Sequence, residues 1–291
     1  QRPVWHTPGW SRASRHRNVT DTSAAGPVND GARRAVCVGI DRYTVPGAGL
    51  QGCVADALAW RELLVDRSGV DAADIVTLTD EQATGRAVRD AVGALVRASA
   101  PGDTAVLVIA SHGSWKVDRG GDEADRYDET ICPHDCDRGQ IGDDELGRLL
   151  DRAVDGVRLT VVVDACHSGT VTRGLEPGDV ARTLSPWIAD PAGHGAGRRH
   201  RPVDRIAASV PQRHLLIAAC GDQQSAVERR RGSQVRGLFS SLAVDALRSS
   251  PTSLSARSLA TELTAQFESD GVDQRPVVSG PDELLDAPVF R

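Results

Sequence analysis

Short apolar runs recur along the chain, and each stops abruptly in small, acidic or hydroxyl residues. They lie at 34–41 (R-A-V-C-V-G-I-D), 74–80 (D-I-V-T-L-T-D), 104–110 (T-A-V-L-V-I-A), 159–163 (L-T-V-V-V), 214–220 (H-L-L-I-A-A-C) and 275–279 (R-P-V-V-S). Runs without polar alternation predict strands buried on both faces, as parallel sheets require. Pro276 marks the last run as an edge strand. Between the runs the apolar period changes to that of a helix: over 50–64, where Val54, Leu58 and Leu64 recur, over 84–98 with Thr84 as N-cap, and over 237–247 and 254–267. Strands alternating with helices predict an α/β fold, a doubly wound, mostly parallel six-stranded sheet with helices on both faces.

Two of the strand ends carry chemistry. The 104–110 run stops in Ser111, His112 and Gly113, and the 159–163 run stops in Asp164, Ala165, Cys166, His167 and Ser168. Ligands of open α/β sheets bind outside the carboxyl ends of the strands. Cys166 alone reads equally well as a small buried hydrophobe. With His112 on a neighbouring strand end it reads as a nucleophile with its base, and the separation is about 50 positions, the His-before-Cys spacing of caspase-type proteases. The N–H groups of Gly113 and Cys166 are placed to form an oxyanion hole. His167 is a rival base by proximity alone, because neighbouring side chains diverge at such a turn.

S-H-G at 111–113 and D-A-C-H-S-G-T at 164–170, with G-D-E-A-D-R-Y-D-E-T-I-C-P-H-D at 121–135 and G-Q-I-G-D-D-E-L at 139–146, resemble the motifs of metacaspases and their prokaryotic caspase-like relatives. The resemblance runs from about Arg33 to the C-terminus. It implies a caspase-like fold and a cysteine endopeptidase cleaving after Arg or Lys, without a cofactor for the chemistry. It also implies a substrate pocket lined by Asp56, in the pattern Cys53-x-x-Asp56, and by Asp164. Ala110 stands where many metacaspase pockets have a serine. The bland reading of Asp56 is a first-turn carboxylate suited to the helix dipole.

The stretch 115–142 is long, polar and rich in carboxylates, which reads either as a site for a hard cation or as a solvated acidic loop leading into a helix. The resemblance assigns Asp128, Asp143 and Asp144 to a calcium site that activates the enzyme. It also places Arg173 where a fourth ligand belongs, so calcium dependence stays open. Cys132, His134 and Cys136 lack the second cluster that a zinc site needs.

The stretch 172–211 has little periodicity and many Gly, Pro and Arg, and is expected to be a mobile basic linker within a peptidase domain spanning 32–291. Arg198, Arg199 and Arg201 are candidate points of self-cleavage there, and the basic stretch 228–237 is a further one. Residues 1–31 are expected to form a disordered or loosely packed arm.

Hydrophobic residues make up 40% of the 291, enough for one large α/β core. The net charge of −6 argues against nucleic acid as partner, and no apolar run is long enough to cross a membrane. Six unevenly spaced cysteines do not form a disulfide framework, so a reducing cytoplasmic setting is expected. The sequence contains no methionine, which points to a processed form or a piece of a longer chain. The expected partner is a protein or peptide substrate, the expected state a monomer. The competing reading is a silent or partner-activated caspase-like interaction module.

Overall fold

The computed structural model describes Trp10 and residues 31–117, 127–166, 176–186, 212–221, 224–250 and 254–290. Its centre is a six-stranded sheet built from β1 (Arg33–Gly39), β2 (Ile75–Thr79), β3 (Thr104–Ala110), β7 (Arg158–Asp164), β9 (Leu215–Ala218) and β12 (Val277–Ser279). The order across the sheet is β12-β9-β7-β3-β1-β2, all parallel except the edge strand β12, which runs antiparallel to β9. The expected sheet, with its proline-marked edge, is observed.

Alternate residues of each strand serve opposite faces. Ala35, Cys37, Val106, Val108, Val162 and Ile217 enter one core, under the helices α1 (Cys53–Ser68), α4 (Leu238–Ser249) and α5 (Ala256–Ser269). Val36, Val38, Leu107, Ile109 and Val161 enter the other, under α2 (Gly85–Ala98) and α3 (Asp143–Leu150). Both faces are covered, so the strands need no polar face, and their sequences show none. Gly39 is required by close packing: a Cβ there would lie 2.5 Å from the Cys53 carbonyl oxygen and 2.8 Å from Val54 Cα. A final short helix, α6 (Asp282–Asp286), packs against α5.

Two small three-stranded sheets stand outside the central one, and the apolar pattern did not foretell them. One joins β4 (Gly113–Val117), β5 (Tyr127–Ile131) and β6 (Ile141–Gly142); the other joins β8 (Val180–Ala181), β10 (Val227–Arg231) and β11 (Gln234–Gly237). Their strands are short and rich in Arg, Asp, Glu and Gly, so they carry no run of the kind that marks the central strands. The basic stretch 228–237 is thus a β-hairpin, paired from Glu228–Gly237 to Arg231–Gln234, instead of a free loop. The expected mobile linker over 172–211 also differs across its described part. Residues 176–186 form β8 and then a strap that hydrogen-bonds to both small sheets. Of residues 1–31 only Trp10 and Gly31 are described, and Trp10 packs against the α2–α3 core.

Candidate active site

The register of the central sheet brings the two chemical strand ends level. Gly39 of β1 pairs with Ala110 of β3, and Ala110 pairs with Asp164 of β7. His112 and Cys166 each lie two residues past that aligned row, on adjacent parallel strands. The site therefore sits at the carboxyl edge of the sheet, near where the chain turns from β1 outward to β2 and then back past β1 to β3.

His112 is 4% exposed, and its Nε2 lies 2.9 Å from the Ala48 carbonyl oxygen. A carbonyl only accepts, so Nε2 carries the proton and Nδ1 keeps its lone pair. Nδ1 is buried with no hydrogen-bond partner among the described residues. The imidazole is thus oriented by a backbone carbonyl, and Nδ1 is its basic nitrogen. The ring packs against Tyr43 with centroids 5.1 Å apart, and the Tyr43 hydroxyl accepts from the His112 N–H at 2.8 Å. Burial is the main cause that lowers the His112 pKa to about 4. Burial likewise raises that of Cys166, which is 1% exposed, to about 12. As folded, the two groups are a neutral imidazole and a neutral thiol. A cover of main chain keeps both groups from solvent.

That cover is the strap. The Arg182 carbonyl oxygen accepts from the Gly113 N–H at 2.9 Å and from the Cys166 N–H at 3.2 Å. The two N–H groups named from the sequence therefore converge on one carbonyl. On its N-terminal side, Arg182 N–H donates to the Ala226 carbonyl at 2.8 Å, and β8 pairs with Val227 and Glu228 of β10. On its C-terminal side, Thr183 bridges Gly113, and Leu184 N–H donates to the Gly113 carbonyl at 2.8 Å. Leu184 is buried beside Val45, Ala48, Cys132 and Cys136.

The Arg182 side chain is fully buried among carboxylates. Its Nη2 donates to Asp56 Oδ2 at 2.5 Å and lies 3.7 Å from Glu228 Oε2. Its Nη1 is 2.8 Å from Asp164 Oδ2, an ion pair without hydrogen-bond alignment. Burial opposes the charge of Arg182, but the carboxylates of Asp164 and Asp56 outweigh it and hold the guanidinium ionised. Burial raises the pKa of Asp164 and of Glu228, and Arg182 pulls both back. Asp56 also accepts from Arg236 Nε and from the Gly237 N–H; Asp164 accepts from Ser240 Oγ at 2.6 Å, and Ser240 Oγ in turn accepts from Trp60 Nε1 at 3.0 Å. Gly237 leaves the room: a Cβ there would lie 2.6 Å from Arg182 Nη1 and 2.5 Å from Asp164 Oδ2.

Cys53 and Ala110, both fully buried, form the adjoining wall with Leu50 and the partly buried Tyr43. The Cys53 N–H donates to Asp41 Oδ1 at 2.7 Å, so Asp41 caps α1, while Glu228 accepts from the Gln51 and Gly52 N–H groups just before the helix. Asp41, Cys53 and Glu228 are the only cluster of metal-ligand atoms among the described residues. It is not a convincing cation site, because both carboxylates already accept backbone N–H groups, burial drives the Cys53 thiol well above its ordinary pKa, and the Arg182 cation stands beside Glu228.

The acidic residues assigned by resemblance to calcium lie elsewhere. Asp128 sits on β5 with the Lys116 ammonium 3.5 Å away; Asp143 and Asp144 open α3, and Asp144 pairs with Arg148. They share a neighbourhood, since Thr130 pairs with Gly142, but their ligand atoms are not gathered into a close set. Cys132 and Cys136 are fully buried free thiols hydrogen-bonded to each other, while His134 Nδ1 faces the Arg42 carbonyl at 2.7 Å, so no zinc cluster forms there. His167, Arg173, Arg198, Arg199 and Arg201 lie outside the described residues.

Sequence reasoning missed Arg182, Glu228, Arg236 and the Ala48 carbonyl. A faint signal for Arg182 existed in D-V-A-R-T-L (179–184), where an arginine interrupts a short β-prone stretch. Nothing in the sequence ties a backbone carbonyl at position 48 to a histidine at 112.

Comparison with known proteins bears on the fold and the family. The caspase-1 of Spodoptera frugiperda shares the fold, with a TM-score of 0.57 over 86% of this chain and 87% of that one, at 11% identity. A protein from Geobacter sulfurreducens aligns with a TM-score of 0.67 at 25% identity, over 89% of this chain and 98% of that one. The fold is thus caspase-like. Residues 33–173 match the family model described as metacaspase, peptidase C14 domain. Metacaspase-3 of Arabidopsis thaliana is 35% identical over 203 residues, 67% of this chain and 53% of the relative. Metacaspase-1B of Neosartorya fischeri is 30% identical over 289 residues, 86% of this chain and 69% of the relative. The chain belongs to the metacaspase family. It spans about half the length of the Arabidopsis relatives. Among the described residues no helix is long and apolar enough to cross a membrane.

Proposed function

We propose that the chain is a cysteine endopeptidase that cleaves after Arg, and less well after Lys. The observation that carries this reading is the posture of Arg182: its carbonyl on two backbone N–H groups, its guanidinium among Asp56, Asp164 and Glu228. In this reading Cys166 attacks a carbonyl held as that one is, and the Gly113 and Cys166 N–H groups stabilise the oxyanion. His112 Nδ1 takes the thiol proton and returns it to the leaving amine. Asp56 and Asp164 select a planar cation, because a guanidinium can serve two carboxylates at once where an ammonium presents a single point.

The test is hydrolysis of short fluorogenic peptides ending in Arg, Lys or Asp, each with calcium and with a chelator. Cleavage is expected after Arg, more weakly after Lys and not after Asp. The chelator is expected to leave the rate unchanged, because Lys116 stands beside Asp128 and Arg148 pairs with Asp144. Cleavage after Asp would overturn the pocket assignment and spare the dyad. A rate that collapses on chelation would restore Asp128, Asp143 and Asp144 as an activating site. A second reading, a module switched on by a partner, is favoured by one observation: the strap leaves Cys166 only 1% exposed.

A further inference from the structure

We infer that Arg229 is a second recognition point of the peptidase: it takes an acidic side chain three residues before the scissile arginine, so the preferred substrate carries Asp-x-x-Arg. This rests on the peptidase reading above and adds to it a substrate class that the arginine pocket alone does not define. It applies to any peptide laid along β10, whatever becomes of the strap.

β8 pairs antiparallel with β10, Ala181 opposite Val227 and Val180 opposite Glu228. The next step of that register faces Asp179 with Arg229, and their side chains meet: Arg229 Nε and Nη2 donate to Asp179 Oδ1 and Oδ2 at 2.8 and 2.7 Å. Such a fork matches a planar guanidinium to a carboxylate and fixes both position and sign of charge. The pair is also sheltered, with the Asp179 side chain 1% exposed and that of Arg229 13%. Arg231, two residues on, is 46% exposed and lies 3.9 Å from Asp270, as a solvated surface arginine does. Three residues after Asp179, the Arg182 carbonyl meets the Gly113 and Cys166 N–H groups. An extended chain covers that interval in about 10 Å, so one added strand reaches both points, its register fixed by main-chain bonds.

An ion pair that merely pins the strap would share some of this geometry. Two features point to a recognition site. First, Arg229 stands opposite Arg236 in the β10–β11 hairpin, a like-charge pair that costs stability unless each cation meets a carboxylate. Arg236 meets Asp56, which belongs to α1. Arg229 meets Asp179 and Glu176, both from the strap, and Asp270 acts on it only at longer range. With another peptide in the strap's place, Arg229 faces the incoming chain, and no other carboxylate among the described residues is hydrogen-bonded to it. Second, the groove discriminates by position. Val180, one residue nearer the arginine, is 38% exposed, whereas the Asp179 carboxylate is enclosed. An acidic side chain is therefore read at one position and ignored at the next.

The test compares four fluorogenic amides as substrates of the purified chain: Asp-Val-Ala-Arg, Asn-Val-Ala-Arg, Lys-Val-Ala-Arg and Val-Asp-Ala-Arg. For the wild type, kcat/KM of the first is expected to exceed that of the second by about tenfold, mainly through KM, because the carboxylate is remote from the reacting bond. The lysyl peptide is expected to be poorer still. Val-Asp-Ala-Arg, whose carboxylate falls at the exposed position, is expected to match the asparaginyl peptide. Arg229→Gln should bring the ratio of the aspartyl to the asparaginyl peptide to about one, and Arg229→Glu should reverse the order in favour of the lysyl peptide. Each readout is a ratio within one protein; should neither variant fold, the four peptides on the wild type decide alone. A wild type that cleaves after arginine with a ratio near one would overturn the inference and leave the peptidase reading standing. So would an equal gain from the carboxylate at either position, or a ratio that persists in Arg229→Gln. Hydrolysis of none of the four by the wild type would remove the peptidase reading itself, and this inference with it.

Discussion

Replacing Cys166 with alanine is expected to lower kcat/KM for arginine peptides by about 10⁴-fold or more, and replacing His112 with alanine by about 10²- to 10⁴-fold. The difference follows from what each group supplies. Without the sulfur there is no acyl-enzyme and only the oxyanion donors remain. Without the imidazole, attack depends on the small thiolate fraction that a buried thiol with a pKa raised to about 12 provides at neutral pH. The double variant is expected to be little worse than Cys166→Ala, because the two act as one unit. Measured on folded protein, similar activity in all three variants and the wild type would refute the dyad.

The second large effect belongs to the pocket. Asp164→Asn keeps an oxygen for Ser240 and removes the charge that faces Arg182 Nη1 at 2.8 Å. Losing one partner of a desolvated charge pair costs about 2–5 kcal/mol, so kcat/KM for an arginine peptide is expected to fall by about 30-fold or more. Most of the loss should appear as arginine selectivity, since the main-chain contacts of the bound strand are untouched. Asp56→Asn should behave alike but also loosen β11, because Asp56 holds Arg236 and the Gly237 N–H as well as Arg182. Unchanged preference for Arg over a neutral residue in both variants would mean that the carboxylates hold the fold together and take no part in recognition.

The central sheet was legible because its strands are buried on both faces, and unbroken runs such as T-A-V-L-V-I-A cannot be mistaken for surface. The positions of His112 and Cys166 were legible for a related reason: His112 follows its run by two residues and Cys166 follows its run by three, and parallel pairing with Ala110 opposite Asp164 brings the two strand ends level. What lay hidden depends on contacts distant in sequence and made by polar groups. Glu228 and Arg236 read as members of a basic surface stretch, yet the hairpin turns the Glu228 carboxylate inward to meet the N-terminus of α1. Arg182 read as one more arginine in a linker rich in them. Its burial comes from the sum of Asp56, Asp164 and Glu228, which three separate segments deliver, and periodicity reports on none of these. The Ala48 carbonyl is invisible for the simplest reason: any residue has one.

The account stands most directly on covalent capture of Cys166. Wild-type protein incubated with a short peptidyl-arginine ketone that alkylates cysteine nucleophiles is expected to gain one inhibitor mass on Cys166, located by peptide mapping. The Cys166→Ala and Asp164→Asn proteins should gain little or none, and the corresponding aspartyl ketone should not label the wild type. Labelling of Cys166 that ignores the residue before the ketone, or labelling spread over the other five cysteines with Cys166 left free, would contradict the assignment of both the nucleophile and its acidic pocket.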